Sequence, residues 1–459
     1  MADQVTPTGP RSTGITYQQL LDTDPYPVPA VLRQESPKFL GSDDVPAARY
    51  TSRAWHEREV ERLWKRVWQF ACREEQLPNV GSYIVYDIAN LSFIVVRSSE
   101  HEIKAFYNAC LHRGRQLKDH GGRCTEIRCS FHGFTWALNG ALASVPARWD
   151  FEHVVDEQFG LPEARVGTWG GFVFINPDPD AEPLKDFLGE LPEQFTRWKL
   201  EDRYIQGHVQ KVIRANWKIV QEAFCESYHA PTTHPQTALY LGDVNSQIDI
   251  WDNFARVITP GGTPSPLLKW DPTEEEILRY MLDIREDEEA YITLADGKTA
   301  REVSAAAARE RWRPVVGDMV DEWCDSEFID NIDYTLFPNM HPWGAYNRIV
   351  YRFRPNGDNH REALMDVYLL APYSGVRPKA AATTYLGPDD EWTDAPELGM
   401  LAKVFSQDSF NMPMVQKGLE TTTKAGVTLG NYQESKVRWL HQLLGQWVDG
   451  DGGRVEGEG

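Results

Sequence analysis

Cys110-Leu111-His112-Arg113-Gly114 and Cys129-Ser130-Phe131-His132-Gly133-Phe134 each hold one cysteine and one histidine, with sixteen residues between His112 and Cys129. Zinc sites draw on the same residue types, but zinc fingers place a cysteine pair ahead of a histidine pair. Here each segment supplies one thiol and one imidazole. That division suits two irons, with thiolates on one and imidazoles on the other, and it sets a reduction potential well above that of an all-cysteine plant-type cluster. Gly114, Gly121, Gly122 and Gly133 crowd the two segments, giving the backbone access to positive φ and room for close approach. The pair reads as the ligand set of a Rieske [2Fe–2S] centre. Such a centre relays single electrons, so the rest of the chain must say where they go.

Working outward, Val60, Leu63, Trp64, Val67, Trp68 and Phe70 recur near helical spacing, with Thr51 or Ser52 as cap, and predict a helix from about Tyr50 to Glu75. Alternating runs at Tyr83–Ile88, Ser92–Val96 and Ile103–Tyr107 predict short antiparallel strands, with Gly140–Ala143 and Gly170–Ile175 completing a small β domain. Pro177 and Pro179 mark the linker out of it. Beyond lie helical patterns at Leu184–Trp198, Trp217–Tyr228, Pro396–Leu419 and Glu434–Val448, and a hairpin at Tyr346–Tyr373 turning on Pro355-Asn356-Gly357-Asp358. The expected fold is α+β: a small all-β Rieske domain, then an α+β second domain with an antiparallel sheet flanked by helices. The expected divisions are an N-terminal arm over 1–48, the cluster domain over 49–178, the second domain over 179–448 and a disordered tail over 449–459. Within the arm, Met1–Gly14 reads as mobile. The charged stretch Thr273–Trp312 is helix-prone, with no evident role.

Composition narrows the function. The 459 residues include sixteen Trp and nineteen Phe, ample for large cores, and carry a formal charge of −21. That charge disfavours nucleic acid and anionic membranes as partners. Clusters such as Arg285–Glu289 read as solvated faces. No apolar run is long enough to span a bilayer, and the N-terminus lacks the basic and apolar regions of a secretory signal. Cys72, Cys124, Cys225 and Cys324 read as free thiols, so a reducing, cytoplasmic setting is expected. No G-x-G-x-x-G or P-loop pattern lies between a plausible strand and helix, and the electrons must come from another protein.

A second metal site is suggested by Glu222-Ala-Phe-Cys-Glu-Ser-Tyr-His229-Ala-Pro-Thr-Thr-His234. Two histidines plus one carboxylate on one face of a ferrous ion leave positions open for O₂ and substrate. Pro231 is expected to break the helix so that the imidazoles converge. The same pair also reads as two hydrogen-bonded loop histidines.

From about Tyr50 to Leu444 the chain resembles the catalytic α subunits of Rieske non-haem iron oxygenases, the aromatic ring-hydroxylating dioxygenases with related monooxygenases and demethylases. The two cluster motifs, Asn216-Trp217-Lys218, the His229/His234 segment, Phe337-Pro338-Asn339 and Gln407-Asp408 carry the likeness, in the family order. The resemblance implies one [2Fe–2S] cluster on Cys110, His112, Cys129 and His132, and one mononuclear Fe²⁺ on His229, His234 and Asp408. Taken alone, Asp408 would be a solvated helix aspartate, and Glu420 is its rival. Glu226 falls where the family usually has an Asp linking the first iron histidine to a cluster histidine of the neighbouring subunit. Ala223 replaces an Asn common in the naphthalene branch, and Phe224, Cys225 and Tyr228 are expected mainly to pack in the core. The resemblance further implies O₂ and a small hydrophobic substrate, a ferredoxin and/or flavin reductase as donor, and a homotrimer or an α₃β₃ assembly with a small β subunit. The chemistry implied is ring dihydroxylation, or monohydroxylation or demethylation of an O-methyl, N-methyl or quaternary ammonium group. A bare electron carrier would leave the residues after Ile175 unexplained.

Overall fold

A computed structural model describes residues 14–284 and 291–450. Met1–Thr13, residues 285–290 with the whole Arg285–Glu289 cluster, and the tail beyond Gly450 lie outside the described residues, and with them nearly all of the expected mobile segment, the expected solvated face and most of the expected disordered tail.

Seven strands form the sheet of the N-terminal half, in the spatial order Gln69–Arg73, Phe172–Asn176, Glu163–Trp169, Glu102–Tyr107, Leu91–Ser99, Ser82–Ile88 and Gly122–Arg123. A three-stranded sheet, Ile127–Arg128, Thr135–Trp136 and Leu142–Ser144, stands beside it. The helix expected over Tyr50–Glu75 is shorter. Ser52 caps a helix over Arg53–Glu59, which continues as a π-turn over Val60–Trp64 and stops. Gln69–Arg73 is instead a fully buried strand paired with Phe172–Ile175. A short continuous apolar run carries no period that separates helix from buried strand, and here sheet pairing decides.

The C-terminal half is built on eight strands: Gln247–Ile250, Phe254–Thr259, Asn331–Leu336, Met340–Pro342, Ile349–Asn356, Asn359–Pro372, Arg203–Ile213 and Thr383–Leu386. All neighbours are antiparallel except the last pair, where Thr383–Leu386 runs parallel to Arg203–Ile213. The expected hairpin is its longest antiparallel pairing but one, with Asn356 opposite Asn359 and Gly357 at φ +55° in the tip. Leu401–Thr421 and Ser435–Val448 pack as helices against this sheet region. Leu184–Trp198 is two single turns, Leu184–Leu188 and Leu191–Phe195, parted at Gly189.

One hydrophobic core joins Phe70, Val95 and Phe174 of the first sheet to Tyr368, Trp217 and Leu440 of the second half. Polar groups cross the same seam: Arg352 donates to the Phe70 and Ala71 carbonyls, and Arg73 to those of Leu200 and Arg203. The arm residues 16–46 are also anchored. Tyr17 meets Ser326 (2.6 Å), the Ser36 N–H donates to Asp249 (2.7 Å), and Val45–Pro46 pairs with Gly426–Val427. Among the described residues no helix is long and apolar enough to cross a membrane.

Candidate metal centres and active site

The two Cys–His segments fold alike. In each, the cysteine N–H donates to the carbonyl five residues on (Arg115, 2.8 Å; Phe134, 2.8 Å), and the glycine N–H four residues on returns to the cysteine carbonyl (2.8 and 3.0 Å). Closing these loops requires Gly114 at φ +74° and Gly133 at φ +80°, values an L-residue with a Cβ adopts only under strain. The second loop is the tip between Ile127–Arg128 and Thr135–Trp136. The result brings like with like: the His112 and His132 rings meet edge-on at 4.7 Å, and the Cys110 and Cys129 thiols lie close enough to shift each other's acidity. Burial raises the Cys129 thiol, but the N–H groups of Phe131 and His132 and the Cys110 thiol draw it below its ordinary value, favouring thiolate. Phe134 stacks on His112 at 4.6 Å and fixes its plane. Paired thiols beside paired imidazoles fit a binuclear cluster better than one tetrahedral ion.

The second site assembles across 179 residues. His229 and His234 bracket a one-turn helix, Ala230–Thr233, and Asp408 projects from Leu401–Thr421. Ligand atoms of the three lie within 4.8 Å of one another. Asp408 Oδ1 is 2.8 Å from His234 Nε2 and 3.5 Å from His229 Nε2. Pro231 acts differently from expectation. It sits in the first turn of that short helix, where a missing N–H is one of the unpaired donors anyway, while the preceding helix has already ended at Glu222 rather than Tyr228.

Each imidazole is oriented from behind. His229 Nδ1 is 2.6 Å from Glu226 Oε1, and the His229 N–H donates to Glu226 Oε2 at 3.0 Å. His234 Nδ1 is 2.8 Å from Gln407 Oε1, itself held by Gln236 Nε2 at 2.8 Å. Both Nε2 atoms are thereby turned toward Asp408, the tautomer a metal needs. Burial alone would lower His229, yet hydrogen bonds to Asp408 and Glu226 raise it to about 10. Asp408 stays below the ordinary carboxylate range against its burial, through the same two histidines. The pocket favours positive charge, as a divalent cation site should. Glu420 is elsewhere, bound to Arg361 (3.1 Å) and Gln416 (2.8 Å).

A cavity of about 650 Å³ reaches all three residues. Phe224, Tyr351, Phe405, Val257 and Ile349 give it an apolar wall, and Ala223 also borders it. Met281, Leu282 and Ala308 also border it, so the charged stretch of obscure role supplies helices, Glu274–Met281 and Ala300–Val316, that roof the cavity. A larger groove of about 1060 Å³ between Trp68, Trp251 and Trp439 touches none of the candidate ligands. Cys225 packs in the core as expected, Phe224 also faces the cavity, and Tyr228 is 53% exposed rather than packed. Sequence reasoning assigned no role to Gln407 or Gln236, whose only signal was the place of Gln407 beside Asp408.

Residues 190–450 match the family described as ring hydroxylating alpha subunit (catalytic domain), and residues 67–154 match the Rieske [2Fe-2S] domain. The chain belongs to the ring-hydroxylating alpha-subunit family. In that family it is similar to biphenyl 2,3-dioxygenase subunit alpha of Rhodococcus jostii (strain RHA1), 34% identical over 200 residues covering 42% of this chain and 44% of the relative. It is also similar to the chloroplastic choline monooxygenase of Spinacia oleracea, 26% identical over 234 residues covering 49% of this chain and 53% of the relative. The aligned stretches thus span about half of each relative's length. The fold is shared with the quaternary ammonium Rieske monooxygenase CntA in complex with L-carnitine (TM-score 0.63, 17% identity, 88% of this chain and 95% of that one). It is likewise shared with naphthalene 1,2-dioxygenase with indole bound (TM-score 0.58, 18% identity, 92% and 96%). The two matched domains imply an iron–sulfur cluster and a mononuclear iron, and both donor sets described above fit them.

Proposed function

We propose that the protein is the terminal oxygenase component of a multicomponent system that hydroxylates an aromatic or other hydrophobic ring, with cis-dihydroxylation as its reaction. One observation carries this: two histidines and an aspartate converge at the edge of an aromatic-walled cavity of about 650 Å³, a size suited to a small organic ligand. When bound, the cluster would supply electrons one at a time and the ferrous iron would activate O₂.

The chain's own residues do the rest. Cys110, Cys129, His112 and His132 would hold the cluster; His229, His234 and Asp408 would hold the iron. Glu226 and Gln407 keep the Nδ1 protons of the two imidazoles occupied, so that Nε2 is free to ligate. Phe224, Tyr351 and Phe405 exclude water and orient a flat ring by contact. Electrons would arrive from a ferredoxin or flavin reductase.

A ring of three subunits accompanies this reading. Beside the candidate cluster ligands, Phe131 is 56% exposed with its ring on His132 at 3.9 Å. On the outer side of the iron site, Phe410 is 72% exposed beside a second opening bordered by Glu226 and His229. Apolar groups left bare around two redox sites suit mutual burial in a closed head-to-tail ring. Demethylation of a quaternary amine is the second reading, supported by the shared fold with CntA.

The test is single turnover with naphthalene under ¹⁸O₂ on anaerobically reduced protein. A cis-diol carrying two labelled atoms is expected, with three irons per chain. Asp408→Ala should lose one iron and all product while keeping the visible cluster spectrum. Formaldehyde from a methylated amine, with no labelled diol, would transfer the assignment to the second reading.

A further inference from the structure

Asp333 stands mid-strand in Asn331–Leu336 and is 5% exposed. Its Oδ2 accepts from Lys436 Nζ at 2.8 Å, but its Oδ1 is buried without a hydrogen-bond partner. His341 Nδ1 approaches Oδ1 only to 3.8 Å, beyond hydrogen bonding. Burial and the nearby Lys436 hold that imidazole well below its ordinary value, so it stays neutral.

Trp343 bridges Asp333 across the sheet, an antiparallel pairing that sets both side chains on one face. Its Nε1 is likewise buried without a partner. Buried polar groups are ordinarily paired, and each exception calls for an explanation. Here one acceptor and one donor are orphaned together, and both residues line the 650 Å³ cavity with Thr259, Asn331 and Tyr351. The two orphaned atoms lie just behind the cavity wall, so a ligand there becomes their partner as Asp333 and Trp343 turn toward it.

We propose that Asp333 and Trp343 determine specificity by selecting a ring substrate that bears an uncharged hydroxyl or N–H group, the carboxylate accepting its hydrogen and the indole N–H donating to its lone pair. The group selected is neutral because Lys436 already balances the Asp333 charge. A quaternary ammonium has no N–H to give and meets no net negative charge there. This inference rests on the ring-oxygenase reading above.

Calorimetry on the metal-loaded protein, under argon and without an electron donor, tests it with 2-naphthol and 2-methylnaphthalene, which differ by hydroxyl for methyl. The wild type should bind 2-naphthol at least about tenfold more tightly, the scale of one hydrogen bond to a charged acceptor. Asp333→Leu/Lys436→Met removes both charges together, a replacement buried ion pairs tolerate, and should lose most of the preference for 2-naphthol. Trp343→Phe, which keeps a ring and deletes only the N–H, should weaken 2-naphthol alone and covers the case in which the double variant does not fold. Equal affinities in the wild type would overturn the inference, as would undiminished preference in the variants or tighter binding of phenyltrimethylammonium than of 2-naphthol. Failure of both naphthalenes to bind would instead sink the ring-substrate reading beneath it.

Discussion

Glu226 grips His229 twice, through the ring Nδ1 and the backbone N–H, so its charge sets the basicity of one ligand as well as its direction. Glu226→Gln keeps an acceptor but removes the charge. Both metals should stay bound, while product formation slows by roughly tenfold to a hundredfold, the usual cost of disturbing a ligand's support; single-turnover kinetics read this directly. Gln407 serves His234 in the same way, and Gln407→Leu should weaken iron by a similar factor, seen as loss of metal on dialysis against a chelator while the cluster spectrum persists. The cluster ligands were legible because their chemistry is local: spacing and glycines sit within one short stretch. Asp408 was not legible from residues alone. It lies 174 positions beyond His234, and only the fold brings them together; without the resemblance Glu420 was as good a candidate. Asp333 escaped notice because no element was expected over Asn331–Leu336, and nothing in the sequence tells a buried strand carboxylate from an exposed one.

Elements bounded by strong local chemistry appear where expected. Ser52 caps its helix, accepting from the Trp55 N–H at 3.3 Å, and Asn-Gly turns the long hairpin. Two of the expected helices that came out short have apolar residues that continue past the helix into sheet or loop, at Gln69–Arg73 and after Glu222. At the first, sheet pairing overrides period; at the second, the helix stops well before Pro231. Asn216-Trp217-Lys218 shows what a motif can do structurally. Asn216 caps the helix, Trp217 meets Trp64 at 5.2 Å, and Lys218 Nζ is 2.6 Å from Glu59 Oε1 with both side chains fully buried. The histidine-bearing segment is thereby fastened to the helix that leads into the cluster domain. Lys218→Met would leave Glu59 buried and uncompensated, costing about 3–5 kcal/mol. The denaturation midpoint should fall accordingly, and Glu59→Leu/Lys218→Met should recover most of the loss.

At the scale of the molecule, the two halves share one core, which calls for unfolding as a unit. Buried histidines give that unit a definite pH response. His56, His208, His341 and His441 are all held below their ordinary value, burial being the largest cause in each. A histidine depressed in the native state contributes stability present above the unfolded value of about 6.5, lost as pH falls through the folded one. Asp333, raised to about 6 by burial against the pull of Lys436, works in the opposite sense: its contribution is present below the unfolded value and lost as pH rises through about 6. Between pH 7 and pH 5.5 the histidines dominate, because their unfolded value lies inside that window. The thermal midpoint of metal-loaded protein should therefore drop on going from pH 7 to pH 5.5, and a rise would show that these histidines are solvated.

The same core sharing bears on electron transfer. The seam between the halves is packed and crossed by Arg352 and Arg73, which holds the cluster loops fixed relative to their own chain's candidate iron site, and the proposed ring would set the exposed Phe131 face of one copy against the exposed Phe410 face of the next. The Cys129→Ala variant should lack a working cluster, and Asp408→Ala a working iron; each alone should be inactive. Co-expressed in equal amounts and assembled at random into a head-to-tail ring, they should recover about one quarter of the wild-type activity, since a productive contact needs an intact cluster on one side and an intact iron on the other. Transfer within a single chain predicts none. Turnover per iron in the purified mixture, with subunit ratio read by mass spectrometry, separates the two, and zero activity in a confirmed mixed trimer would place the electron path inside one chain.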